Sequence, residues 1–137
     1  MRTFSLAEPT AVTITTCKSP DSLSGAPFLN NRVLSADHEE VVFSRDARAA
    51  VEAFPKNVNV AISTALACDA IDTLKVCVLS EPKISCNAHT IVLSNSFADA
   101  AIRISSRPDS GNPRSSVITA WSIAALLQNL ANTVQYF

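Results

Sequence analysis

Asn87-Ala88-His89 is the segment of the sequence best equipped for chemistry. His89 is one of only two histidines. A neutral imidazole with a pKa near 6.5 can accept or return a proton near neutral pH, as a general base or acid. The residues that follow, Thr90-Ile91-Val92-Leu93, are β-branched and apolar, which predicts a strand. Side chains two apart on a strand share a face, so Asn87 and His89 emerge together, roughly 7 Å apart. On their own these residues also fit a strand-end histidine that simply hydrogen-bonds its neighbours. A second polar group lies in Pro55-Lys56-Asn57-Val58-Asn59-Val60-Ala61. There the proline suits a first helical position, and a helix is predicted from Pro55 to about Cys68. Asn57 and Asn59 fall in its first turn, where amides and free backbone N–H groups meet a polar ligand. At about 100° per residue they point to roughly opposite sides, so one of them reaches the ligand. Capping accounts for Asn57 more readily than for Asn59.

Composition removes several other functions. The chain has 137 residues, a formal charge of −1 and 17% charged residues, against an average of about 25%. It is long enough for one domain with a real core, and its charge gives no reason to expect nucleic acid or an anionic membrane as partner. So few charges predict that part of the surface is covered by another domain or subunit. Only Gly25 and Gly111 are glycines, so neither G-x-G-x-x-G nor a P-loop can be written. Any nucleotide phosphates must be held elsewhere. Cys17, Cys68, Cys77 and Cys86 are scattered, with no C-x-x-C and no histidine pair, which predicts reduced packing thiols and no metal site. The first residues, Met1-Arg2-Thr3-Phe4-Ser5, lead into no long apolar core, and a cytoplasmic location is expected. The longest apolar run, Ile123 to Leu127, falls far short of the about 20 residues a membrane span requires.

The elements that must position these residues follow in order. Ala11 to Cys17 is a β-branched strand, and the proline-punctuated stretch from Lys18 to Pro27 reads as loop. Val41-Val42-Phe43 is a short buried strand, after which Ser44 caps a helix from Arg45 to Phe54. Thr73 to Leu79 and Ala98 to Ser105 are further strands. Asn112 as cap and Pro113 at the first position start a last helix through Val117, Trp121, Leu127 and Leu130, apolar almost all round and therefore expected to be buried. The order predicts an α/β (α+β) fold, a mixed β-sheet with helices packed on one face.

Phe54-Pro55-Lys56-Asn57-Val58-Asn59-Val60-Ala61, then Asn87-x-His89, then Asn112-Pro113-Arg114-Ser115-Ser116 resemble, in order and spacing, the C-terminal domain of L-aspartate dehydrogenases. The likeness extends to Thr15-x-x-Lys18-x-Pro20 and to Leu126-Leu127, and so covers nearly the whole chain. It implies a fold like that of aspartate dehydrogenase and dihydrodipicolinate reductase-like enzymes. It also implies oxidation of L-aspartate to iminoaspartate by hydride transfer to NAD or NADP, feeding oxaloacetate and ammonia or NAD biosynthesis. His89 maps onto the catalytic histidine. Asn59, with Asn57 beside it, maps onto the cofactor-binding asparagine, and Asn87 and Lys56 fall on the substrate side. Two positions depart from the pattern: Cys86 stands where the family has arginine, and Thr90 where it often has glutamate. Residues 1–137 are thus expected to be this one domain, incomplete at its N-terminal edge and without the Rossmann domain, inactive alone. A homo-oligomer or a Rossmann domain is the expected partner. The alternatives are a non-catalytic oligomerisation or interaction domain, or a dehydrogenase of a related amino acid.

Overall fold

The computed structural model describes residues 10–107 and 117–134. The chain divides into two compact units, Met1–Ser105 and Ser106–Phe137, each described by itself. The first is built on a five-stranded mixed sheet in the order β2-β3-β1-β4-β5. Its strands are β1 (Ala11–Lys18), β2 (Glu40–Asp46), β3 (Lys75–Ser80), β4 (Asn87–Ser94) and β5 (Asp99–Ser106). Central β1 runs parallel to β3 and antiparallel to β4, and β2 closes antiparallel on β3.

Alternation along the strands decides which face is covered. Val12 and Ile14 are buried, as are Val76 and Val78 on β3 and Ile91 and Leu93 on β4, and the ladders place these residues side by side. Their face packs in one core with Ala47, Ala50 and Phe54, at helix α2 (Ala47–Ala53), and with Ala61 and Ala65 of α3 (Asn59–Ala67). The small alanines let both helices approach the sheet closely. The opposite face, with Thr13, Thr15, Cys77 and Thr90, is half-buried, and Val92 on it is exposed.

Three local expectations are corrected. Ser44 caps no helix: β2 continues to Asp46, with Ser44 and Arg45 opposite Cys77 and Val76. The ladder outweighs local helix propensity there, and the Asp46 carboxylate caps α2 by accepting from the Ala49 N–H at 2.8 Å. Val41 is exposed, because a bulge between Val41 and Phe43 turns Val42 and Phe43 inward instead. The helix expected from Pro55 starts only at Asn59, since Pro55–Asn57 forms a turn closed by the Asn57 N–H on the Phe54 carbonyl at 2.8 Å. The expected loop after β1 also contains a short helix, α1 (Pro20–Leu23), capped by Ser19.

The second unit contains α4 (Val117–Ala131). Its expected burial is not what the structure shows: Trp121 is 70% exposed, and Ile123, Leu126 and Leu127 are exposed too. Among the described residues its unit has no second helix against which an all-round apolar surface could be buried. The expected Asn112 cap and Pro113 start lie outside the described residues.

Candidate active site

Strand register builds the site. His89 lies opposite Thr16, and its Nδ1 is 3.0 Å from the Thr16 hydroxyl. With Thr16 accepting from Nδ1–H, the lone pair on Nε2 is free to act as a base. Asn87, two residues earlier on β4, shares the imidazole's face and is half-buried. Lys18 shares that face from β1, where it is the register partner of Ser80 on β3. From the turn before α3, Asn57 reaches this end of the sheet, and its Oδ1 accepts a hydrogen bond from Lys18 Nζ at 2.7 Å.

Both titratable groups are tuned towards their neutral forms. Burial lowers the Lys18 ammonium below its ordinary pKa of 10.5. Burial, and then the positive charge of Lys18, lowers His89 below 6.5. At neutral pH the imidazole is therefore unprotonated and ready to accept a proton. The Ser80 hydroxyl is wholly buried and has no hydrogen-bond partner. Leaving such a group unpaired costs about 1–3 kcal/mol. Ser80→Ala is accordingly expected to raise stability by about 1 kcal/mol in urea denaturation; a loss of that size would mean the hydroxyl is bonded in solution.

The structure brings His89, Thr16, Lys18 and Asn57 together. Asn59 is the first residue of α3 and is exposed, at a helix start that no side chain caps. An amide and helix-start N–H donors meet there. Lys56 is exposed, and Lys18 rather than Lys56 engages Asn57. Lys18 had no role in the sequence reading beyond its place in Thr15-x-x-Lys18-x-Pro20. Thr90 lies opposite Thr15 on the other sheet face, away from His89. Cys86 is near enough to Cys17 to contribute to the raised pKa of that thiol, which is due first to burial and then to Glu39.

Among the described residues no three His, Cys, Asp or Glu side chains are grouped to hold a metal. No described helix is long and apolar enough to cross a membrane. A groove of about 400 Å³ runs beside α1, lined by Ser19, Pro20, Asp21, Arg32 and Pro82. A second, of about 290 Å³, is lined by Phe28, Phe43, Arg45 and Glu52. Neither is lined by His89 or Lys18, so the site is defined by its side chains and their chemistry.

Comparison with known proteins identifies the family. The family described as "Aspartate dehydrogenase, C-terminal" matches residues 1–130. An L-aspartate dehydrogenase of Methanosarcina barkeri is 36% identical over 134 residues, covering 96% of this chain and 49% of that protein. One of Methanococcoides burtonii is 33% identical over 138 residues, covering 98% of this chain and 51% of that protein. The crystal structure of aspartate dehydrogenase from Thermotoga maritima superposes with a TM-score of 0.70 at 26% identity, over 92% of this chain and 46% of that one. The chain spans about half the length of the curated relatives it matches. In its sheet, its helices and its sequence, the chain belongs to the aspartate dehydrogenase family, as its C-terminal domain.

Proposed function

We propose that residues 1–137 form the substrate-side domain of an NAD- or NADP-dependent L-aspartate dehydrogenase acting in the cytoplasm, with a Rossmann domain completing the active site. The observation that carries this reading is the imidazole of His89, hydrogen-bonded to Thr16 on the same sheet face as the half-buried Lys18 ammonium and its partner Asn57. A nicotinamide held by the Rossmann domain, with Asn59 at its carboxamide end, would supply the acceptor for the hydride that leaves the α-carbon of aspartate. His89 takes the proton released by the amino nitrogen as the C=N bond forms. Once it has passed that proton to solvent, the neutral ring can deprotonate the water that hydrolyses iminoaspartate to oxaloacetate and ammonia. Thr16 holds the ring in one orientation throughout. Asn59, exposed at the head of α3, positions the nicotinamide end of the cofactor, and Asn57 lies at the same edge. Asn87 orients the substrate from the imidazole's own face, and Lys56 lies at the outer side of the substrate site.

The test joins a family member's dinucleotide-binding domain ahead of Met1 and follows L-aspartate-dependent reduction of NAD and NADP. Turnover is expected. A folded protein that binds cofactor but gives no turnover, with His89 intact, would overturn the reading. The exposed apolar residues of α4, Trp121 and Leu127 among them, favour a second reading in which the domain serves homo-oligomer assembly. Sedimentation distinguishes the two, since self-association without turnover is the outcome that supports assembly alone.

A further inference from the structure

We propose that Lys18 is the carboxylate anchor of this site, and that Asn57 holds its ammonium in place until an anionic oxygen of the substrate displaces the amide. This rests on the dehydrogenase reading and names the group that recognises the substrate's acid function. A buried ammonium normally finds a carboxylate, because desolvation is costly unless charge is paired. Lys18 is half-buried, and among the described residues its ammonium is hydrogen-bonded to a neutral amide oxygen. The ion pairs among the described residues are Arg32–Glu40 and Arg48–Asp72, and neither includes it. An ammonium has three donor protons, so two remain after the bond to Asn57.

A second, independent observation lies beside it. Ser80, the register partner of Lys18, carries a wholly buried hydroxyl with no partner. The Lys18 ammonium and the unpartnered Ser80 hydroxyl thus lie at the same end of one sheet face. A carboxylate fits this pair. Its placement also suits the chemistry, because Lys18 is the charged group that acts on His89. An acid anchored at Lys18 lies within electrostatic reach of the proton acceptor. Binding then does more than position: pairing Lys18 with a carboxylate cancels its repulsion of imidazolium, and His89 becomes more basic once substrate is present.

Succinate, a dicarboxylate with no amino group to oxidise, serves as probe. It is titrated into the 137-residue chain while the ring nitrogens of His89 are followed by NMR across pH. The titration midpoint of His89 is expected to rise as succinate saturates. Lys18→Met should weaken succinate binding by about tenfold or more, the usual size of a lost charged hydrogen bond. Asn57→Ala, which removes the amide that competes for the ammonium, should tighten it. If Lys18 were merely structural, both substitutions would weaken binding alike, and that result overturns the proposal. So does a His89 midpoint that succinate does not move, or undiminished succinate affinity in Lys18→Met. The two readings fail separately. In the two-domain enzyme, an unchanged KM for aspartate in Lys18→Met removes the anchor and leaves the dehydrogenase. Lys18-dependent succinate binding without wild-type turnover removes the dehydrogenase and leaves the anchor.

Discussion

His89→Ala in the two-domain enzyme is expected to lower kcat by about 10²–10⁴-fold, the usual contribution of a general acid–base group. Cofactor affinity should hardly change, because His89 projects from β4 whereas the proposed nicotinamide contact, Asn59, heads α3. Steady-state kinetics with direct measurement of NAD(P) binding separates the two effects. A comparable loss in both would mean that the ring is structural. The pH profile provides a further check on the same group. The base form is the active one, and its pKa lies below 6.5. Activity limited by free enzyme, kcat/KM, should therefore persist below pH 6.5 and fall only as the imidazole takes up its proton. Removing the Lys18 charge should shift that acid limb to higher pH, since imidazolium is then no longer repelled.

Phe54→Ala should have the largest effect on stability. Phe54 is wholly buried between α2 and the turn that delivers Asn57. Its ring centroid lies 5.7 Å from that of Phe28 and 5.5 Å from that of Phe43, the latter nearly perpendicular. Truncation removes the area it buries, leaves a cavity and breaks both ring contacts, at a cost of about 3–5 kcal/mol. That is a large share of the roughly 5–15 kcal/mol that stabilises a typical domain. Urea denaturation should show a much lower midpoint. Because the Phe54 carbonyl also closes the turn leading to Asn57, the Lys18–Asn57 bond should loosen along with it. A midpoint unchanged from wild type would show that the aromatic cluster is not the keystone of this core.

β1, β3 and β4 are legible because their β-branched residues mark buried strands, and β5 because Ile102 and Ile104 alternate with polar Arg103 and Ser105. Asn87 and His89 fall on one face, since a strand's period of two leaves no freedom once the strand is granted. The end of β2 was not legible: Ser44 and Arg45 look like a helix start, and only their pairing with β3 draws them into the sheet. The start of α3 is illegible for a related reason. Pro55 is compatible with a first helical position, but the turn after Phe54 is fixed by tertiary packing. Lys18 escaped notice because its bond to Asn57 joins residues 39 apart in sequence, a separation at which local pattern carries no signal. For α4 the apolar periodicity was correctly read, yet periodicity describes a surface and not what covers it.

The position of β1 has a consequence for how the chain is made. It is the first strand synthesised and the central one of the sheet, yet its partners come from far downstream: Thr13 pairs with Lys75 on one side and Val12 with Leu93 on the other. On a ribosome, Val12 and Ile14 emerge with both strand edges bare, and they stay bare until β3 and β4 follow. Closing such long loops is paid in entropy before any contact repays it, so folding should be slow and late rather than progressive. During that interval the nascent β-branched strand offers an open edge to any other chain, the situation in which aggregation competes with folding. The strand that carries Thr16 and Lys18 is thus the first part of the site to exist and among the last to be enclosed.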